Sequence, residues 1–172
     1  KLVGSGPVIL CVHGWPELWY SWRHQMAYFS AQGYTVAAMN VRGYGGSSHP
    51  SEIAAYTLSE LTSDVCAVAQ TLSTDPVILF GHDWGAPIVW NTAALHGGRV
   101  SGVVGLSVPY RRRGSVSNID LWKKLYADKF FYQVYFQHEG VVEKELEADV
   151  RGALRKIYFS IKRSNIFRRY NF

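Results

Sequence analysis

Along the first two-thirds of the chain, short continuous apolar runs alternate with longer stretches in which apolar residues recur at helical spacing. Short apolar runs of this kind are typical of strands that are buried on both faces of a sheet. They predict four strands, at residues 7–12, 34–41, 77–80 and 100–108. The amphipathic stretches predict helices, the second of them behind a capping box, at residues 18–31, 58–72 and 84–95. This alternation predicts an α/β fold with a parallel sheet.

The pattern changes after Pro109. No strand pattern follows, and an aromatic segment at residues 130–137 precedes one apolar stripe at helical spacing, formed by Val142, Leu146, Val150, Leu154 and Ile157. We predict a single amphipathic helix along this stripe, supported by a Glu147–Arg151 pair four residues apart. The chain is therefore predicted to divide into an incomplete α/β core at residues 1–109 and a partial helical segment at residues 110–172. Its tail, residues 162–172, matches no recognised element.

Composition narrows the class of protein. Of the 172 residues, 48% are hydrophobic and 18% are charged, so the chain can bury a core and is not of the disordered class. The two cysteines, Cys11 and Cys66, fall in a predicted strand and a predicted helix, which indicates buried thiols and no disulfide framework. We expect no metal and no cofactor. No apolar run approaches the roughly 18 residues of a membrane span, and the first residues lack a signal-peptide layout, so we expect a cytoplasmic protein without a membrane partner.

The formal net charge of +5 is unevenly distributed, because basic residues concentrate in Arg111-Arg112-Arg113 and in residues 162–169. A nucleic-acid interface would combine a basic stripe with exposed aromatic residues on a recognisable module, and the sequence contains no such module. We interpret the basic runs as solvated charge and expect no nucleic-acid partner.

The sharpest chemical signal is Gly81-His82-Asp83-Trp84-Gly85, which lies where the third predicted strand ends and a helix begins. It has the form of a strained strand-to-helix turn that presents one nucleophilic side chain, with glycines that let strand and helix approach closely. The positive end of the helix dipole favours a carboxylate at Asp83, and an ionised aspartate can attack an activated sp³ carbon to form an ester. The alternative is that Asp83 is only the N-cap of the helix.

A second motif, His13-Gly14-Trp15-Pro16-Glu17, follows the first predicted strand. In a parallel sheet, a loop at this strand end lies beside the elbow, where an oxyanion hole would be built. The backbone N–H groups of Trp15 and Trp84 are the predicted donors, and Pro16 fixes the loop just beyond the first of them. We interpret His13 as a structural histidine that hydrogen-bonds within the loop.

Three segments together resemble the α/β-hydrolase-fold epoxide hydrolases of the soluble and microbial type. They are HGWPELWYSWRHQ at residues 13–25, RGYGGSS at residues 42–48 and GHDWGA at residues 81–86. Their order and spacing are similar to the N-terminal portion of that family. The resemblance implies that Asp83 opens an epoxide ring, that the N–H groups of Trp15 and Trp84 form the oxyanion hole, and that a helical cap follows the fourth predicted strand.

The segment at residues 132–137, YQVYFQ, is similar to the first cap motif of the same family, and Tyr132 stands at the position of its catalytic tyrosine. The resemblance implies that Tyr132 hydrogen-bonds the epoxide oxygen and protonates it, which a phenol can do at neutral pH. The implied substrate pocket is formed by Trp15, Pro16, Trp84, Phe131 and Gln133. From the residues alone, the alternative is that Tyr132 and Tyr135 are both packing aromatics of an amphipathic helix; with the resemblance, that role is expected of Tyr135 only.

Hydrolysis of the ester requires a water molecule that is activated by a histidine held by a carboxylate. His96 and His138 do not match the family's base, so we expect the base, its acidic partner and a second cap tyrosine to come from a complementary C-terminal segment or a second chain. The expected reactants are a small apolar epoxide and water.

Two alternatives stay open. One is a dehalogenase of the same fold, which is disfavoured because such enzymes often carry Asn where Trp15 stands. The other is a truncated remnant that is non-catalytic or completes a single turnover.

Overall fold

The computed structural model describes residues 1–163 of the chain, with side chains through residue 159. The chain divides into two compact units, Lys1–Arg111 and Arg112–Phe172. Most of the tail that matches no recognised element, residues 164–172, lies outside the described residues. Within residues 1–163, no helix is both long enough and apolar enough to cross a membrane.

The first unit contains one sheet of five strands. These are β1 (Leu2–Val3), β2 (Val8–Val12), β3 (Thr35–Met39), β4 (Val77–His82) and β5 (Val100–Leu106). Their order is β1-β3-β2-β4-β5, and β2 to β5 are parallel, which confirms the predicted α/β fold. Strand β1, which pairs antiparallel with β3, was not predicted because two residues are too few to show a periodicity. Strand β5 ends before residue 108 because Ser107 has a φ of 71°, in the left-handed region.

Three α-helices accompany this sheet. They are α1 (Arg23–Ala31), α2 (Leu58–Leu72) and α3 (Gly85–Leu95). The helix predicted over residues 18–31 begins as a 3-10 helix, Trp19–Trp22, and continues as α1. Helix α2 begins at the predicted capping box, where Thr57 Oγ1 accepts a hydrogen bond from the backbone N–H of Glu60 at 3.4 Å. The start of α2 is therefore determined by local sequence.

Strands β2, β3 and β4 carry buried side chains on both faces of the sheet, because successive residues of a strand point to opposite sides and helices cover each side. The face covered by α2 and α3 has a core that includes Leu10, Val12, Val65, Leu79 and Val89. The face covered by α1 has a core that includes Ile9, Cys11, Trp22, Met26 and Phe80. Both cysteines are buried, as predicted, and burial raises the pKa of Cys11 to about 12. The candidate site lies at the carboxyl ends of β2 and β4, above this core.

Within the described residues, the second unit contains four helices. They are α4 (Asn118–Leu125), α5 (Tyr132–Tyr135), α6 (Val141–Glu147) and α7 (Val150–Arg163). The prediction of one continuous helix along residues 142–157 is wrong, because the apolar stripe is divided between α6 and α7. Asp149 separates them: its Oδ1 accepts the N–H of Gly152 at 2.9 Å, the geometry of an N-cap that begins a new helix. The predicted Glu147–Arg151 pair therefore does not lie on one helix.

Candidate active site

Asp83 occupies the turn between β4, which ends at His82, and α3, which begins at Gly85. Its φ is 50°, a left-handed conformation that aspartate tolerates better than most residues. Two backbone hydrogen bonds hold the turn: the Asp83 N–H donates to the Leu106 carbonyl at 3.2 Å, and the Ala86 N–H donates to the Asp83 carbonyl at 3.0 Å. The predicted strand-to-helix turn is therefore present, with one acidic side chain at its apex.

The glycines on either side of Asp83 are required by close approach. A Cβ at Gly81 would lie 2.5 Å from Cγ2 of Val89 and would also collide with the Gly85 carbonyl. A Cβ at Gly85 would collide with the Val12 carbonyl, on the neighbouring strand. Helix α3 can therefore begin directly against β2 and β4 only because these two positions lack side chains.

The carboxylate of Asp83 contacts the loop that follows β2. The backbone N–H of Trp15 donates a hydrogen bond to Asp83 Oδ1 at 2.9 Å. Gly14 makes room for this contact, because a Cβ there would lie 2.5 Å from the Asp83 Cβ. The N-cap residue of α3 is Trp84, with no side-chain capping bond. The alternative in which Asp83 serves only as a helix cap therefore does not describe this carboxylate, whose hydrogen bond runs across to the loop.

His13 is buried and engaged at both ring nitrogens. Its Nε2 accepts the backbone N–H of Val41 at 3.1 Å, so Nδ1 carries the proton and donates to the Gly14 carbonyl at 2.8 Å. Burial lowers the pKa of His13, which favours this neutral form. The interpretation of His13 as a structural histidine is confirmed: it joins the loop after β2 to the loop after β3.

Tyr44 was not singled out from the sequence, although it lies in one of the quoted segments. Its ring stands edge-on to His13, with 4.9 Å between the ring centroids. Burial, with a further contribution from the negative charge of Asp83, raises the pKa of Tyr44 to about 12. Tyr44 therefore stays a neutral phenol near the Asp83 carboxylate at any physiological pH.

An ion pair beside Asp83 was also missed. His82 Nδ1 donates to Glu17 Oε2 at 3.1 Å, and the same oxygen accepts the backbone N–H of Gly14 at 3.2 Å. The hydrogen bond with Glu17 raises the pKa of His82 above its ordinary value, and the charge of Asp83 adds to this effect. Burial works to raise the pKa of Glu17, but the hydrogen bonds from His82 and Gly14 outweigh it and the pKa is lowered. The sequence showed both residues inside the two motifs, but not that they meet.

A cleft of about 210 Å³ opens next to this ion pair. It is lined by Glu17, Ser21, Trp22, Gln25, His82 and Leu106. The indole N–H of Trp22 is buried without a hydrogen-bond partner among the described residues. Trp15, Pro16 and Trp84, the predicted substrate-pocket residues of the first unit, do not line this cleft. Trp84, one of the five predicted pocket residues, is 48% exposed.

In the second unit, Tyr132 is the first residue of α5. Its hydroxyl accepts a hydrogen bond from Gln133 Nε2 at 3.0 Å, and its ring contacts Phe131 and Phe136. Tyr135, the other aromatic of this helix, donates its hydroxyl proton to Glu145 Oε2 at 2.8 Å. Phe131 and Gln133, both predicted to line a substrate pocket, are thus immediate neighbours of Tyr132.

Comparison with known proteins places these features in a family. Residues 7–148 match the alpha/beta hydrolase fold family. Epoxide hydrolase A of Mycobacterium tuberculosis is 41% identical over 153 residues, which are 89% of this chain and 48% of that protein. Epoxide hydrolase 2 of Siraitia grosvenorii is 39% identical over 156 residues, 90% of this chain and 49% of that protein. The resemblance found in the three motifs is thereby confirmed.

Solved structures show the same similarity. An epoxide hydrolase from an endophytic Streptomyces superposes with a TM-score of 0.89 at 44% identity, over 91% of this chain and 47% of that one. Epoxide hydrolase A from Mycobacterium thermoresistibile gives a TM-score of 0.86 at 42% identity, over 91% of this chain and 50% of that one. The chain thus spans about half the length of the relatives that it matches.

Proposed function

Because the chain belongs to the alpha/beta hydrolase fold family, we propose that it carries the nucleophile of an epoxide-hydrolysing site, with Asp83 as the attacking group. The observation that carries the proposal is the hydrogen bond of 2.9 Å from the Trp15 N–H to Asp83 Oδ1, on a strained turn. The relatives that are named epoxide hydrolases support the choice of an epoxide as the substrate class.

In the proposed first step, Asp83 Oδ2 attacks an epoxide carbon, since the Trp15 N–H holds the other oxygen, Oδ1. The ring C–O bond breaks, and its electron pair goes to the epoxide oxygen, which takes the hydroxyl proton of Tyr132. The products are a hydroxyalkyl ester of Asp83 and a tyrosinate. The amide of Gln133, which already donates to the Tyr132 oxygen at 3.0 Å, would stabilise the negative charge that develops there.

In the proposed second step, water adds to Cγ of the ester and negative charge develops on Oδ1. The N–H of Trp15 already points at that oxygen, and the N–H of Trp84 is the second proposed donor of the oxyanion hole. The intermediate collapses by expelling the alkoxide, which takes the proton of the newly formed Asp83 carboxylic acid to give a vicinal diol and to restore the carboxylate. The proton that the base took from water returns to the Tyr132 tyrosinate, so the site is regenerated. The base that deprotonates the water and its acidic partner are proposed to come from a complementary segment or a second chain. The five predicted pocket residues are proposed to line the substrate site.

Trapping of the ester tests this proposal. The folded chain is incubated with styrene oxide, digested under acidic conditions and analysed by peptide mass spectrometry and for diol. We expect an adduct on the peptide that carries Asp83, and Asp83→Asn should abolish it while Asp75→Asn, at an exposed position, should not. An adduct that persists without diol would show a nucleophile without its base, and accumulation of diol would show that a base is supplied.

The role of Tyr132 is tested by a matched pair of variants on the same helix. Tyr132→Phe removes the proposed proton donor and should slow formation of the adduct by about 100-fold, whereas Tyr135→Phe should leave the rate unchanged. A folded wild-type chain that gives neither adduct nor diol would contradict the proposed function. Alkylation of Asp83 by a chloroalkane but not by styrene oxide would favour the dehalogenase alternative.

A further inference from the structure

Glu17 and His82 join the two motifs of the site at positions next to the reacting groups. Gly14 and Trp15 are consecutive in the loop, and His82 and Asp83 are consecutive in the elbow. One oxygen, Glu17 Oε2, accepts hydrogen bonds from the Gly14 N–H at 3.2 Å and from His82 Nδ1 at 3.1 Å. The loop and the elbow are therefore connected twice, once through this oxygen and once through the bond from Trp15 to Asp83 Oδ1.

These contacts form a closed ring. It runs from Trp15 to Asp83 by a hydrogen bond, to His82 along the chain, to Glu17 by the ion pair, and back through Gly14 to Trp15. Glu17 also anchors its own end of the loop, because its N–H donates to the Gly14 carbonyl at 3.1 Å. In such a ring, a displacement of Glu17 moves the Gly14–Trp15 peptide, and with it the N–H that holds the carboxylate.

The charges within the ring are protected from water to different extents. The side chain of Glu17 is 14% exposed and that of His82 is 37% exposed. A largely buried carboxylate must be paired to be stable, and His82 supplies the partner. The hydrogen bond and charge of Glu17, together with the charge of Asp83, raise the pKa of His82. The hydrogen bond from His82 and the rings of His82 and His13 lower the pKa of Glu17. Since His13 is held neutral, the ion pair depends on the charge of His82.

We propose that Glu17 and His82 are positioning residues that hold the Trp15 N–H against the Asp83 carboxylate. For its chemistry this inference rests on the proposed function, in which that N–H orients the nucleophile and then stabilises the oxyanion. Neither residue touches the substrate in this role. Their effect is transmitted through the Gly14–Trp15 peptide and through the backbone between His82 and Asp83.

The first test does not depend on any reaction. In the ¹⁵N-labelled wild-type chain, the backbone amide shift of Trp15 should follow the same titration as the ring of His82. In Glu17→Gln, which keeps the size of the side chain but removes its charge, the Trp15 shift should no longer move with pH. In His82→Gln, whose amide can still donate to Glu17, the Trp15 shift should stay near its wild-type value but lose its pH dependence. His49→Gln, at an exposed histidine, is the control and should change neither.

The second test measures the rate of ester formation with styrene oxide as a function of pH. The wild-type rate should fall as His82 loses its proton. Glu17→Gln should form the ester about 10- to 100-fold more slowly than wild type, with a flatter pH profile. His82→Gln, whose amide can still donate to Glu17, should be slowed less than Glu17→Gln. If the wild-type chain forms no ester, the proposed function fails while the amide titration still decides the inference. If the Trp15 amide shift changes neither as His82 titrates nor in the Glu17→Gln variant, the inference is overturned, whatever the rates of ester formation.

Discussion

Asp83 and Tyr132 belong to units that are stabilised in different ways. In the first unit, Leu10 and Val36 on central strands are fully buried, and backbone hydrogen bonds hold the elbow of Asp83. In the second unit, among the side chains of residues 112–159, only Val142 is buried. Tyr132 instead lies on a helix of four residues, among half-buried aromatic neighbours. The position of the proposed nucleophile is thus fixed by core packing, and that of the proposed acid by side-chain contacts near the surface.

The largest difference between the units should appear when a buried side chain is shortened in each. Leu10→Ala removes a fully buried side chain from β2 and should lower the free energy of unfolding by about 2–5 kcal/mol. Val142→Ala removes less volume at the edge of α6 and should cost about 1 kcal/mol. Urea titration measures both values, and Leu95→Ala, at a residue that is 62% exposed, is the control for Leu10. Equal losses for the two buried positions would contradict the comparison.

A smaller but more local effect is expected at the elbow. Gly85→Ala places a Cβ against the Val12 carbonyl, so strand and helix must move apart, and the free energy of unfolding should fall by about 1–3 kcal/mol. Gly97→Ala is the matched control, because a Cβ there meets nothing within 4 Å. Urea unfolding of both variants checks this expectation. If Gly85→Ala were as stable as Gly97→Ala, close packing would not be what fixes the elbow.

Removing one helix N-cap in each unit should have a similar energetic cost but should affect a larger region in the first unit than in the second. Thr57→Ala and Asp149→Ala each remove an N-cap and should each cost about 1 kcal/mol. Helix α2 is packed on the sheet core, so loss of Thr57 should reduce amide protection throughout the first unit, as measured by hydrogen exchange. Loss of Asp149 should reduce protection in α7 only. Spread of the second effect to α4 and α5 would show that the second unit unfolds as one cooperative body.

The elements that the sequence predicted well are those whose signals are local or periodic. Strands β2 to β4 are largely buried and therefore appear as continuous apolar runs, and the capping side chain of Thr57 marks the start of α2. The split between α6 and α7 was missed because the apolar stripe continues in phase across Asp149, whose capping bond interrupts the helix without interrupting the pattern. A hydrophobic period reports which residues face a core, but not whether the backbone between them is continuous.

The candidate site divides in the same way. Asp83 and the Trp15 N–H were predicted to lie together because a parallel sheet brings the ends of neighbouring strands to one edge. The pairing of Glu17 with His82 was not predicted, since it depends on side-chain orientation across 65 positions of sequence. Tyr44 was missed for the same reason: its burial beside His13 is a property of how two loops pack, and neither loop shows it alone.

The smallest expected effect is the pH dependence of the Glu17–His82 pair, and its sign follows from the two pKa directions. The raised pKa of His82 gives stability that is fully present below the ordinary value of 6.5 and is lost as pH rises through the raised value. The lowered pKa of Glu17 gives stability that is present above the ordinary value of 4.5 and is lost as pH falls through the lowered value. The pair should therefore stabilise the first unit most between pH 4.5 and 6.5. Because His82 is partly exposed and screened by solvent, the difference in unfolding free energy between wild type and Glu17→Gln should reach only about 0.5 kcal/mol in this window. The difference should shrink above the window. Urea titrations at several pH values would measure it. A difference that grows as the pH rises above 7 would mean that the charge of His82 does not stabilise the loop, and the elbow would then owe its geometry to backbone packing alone.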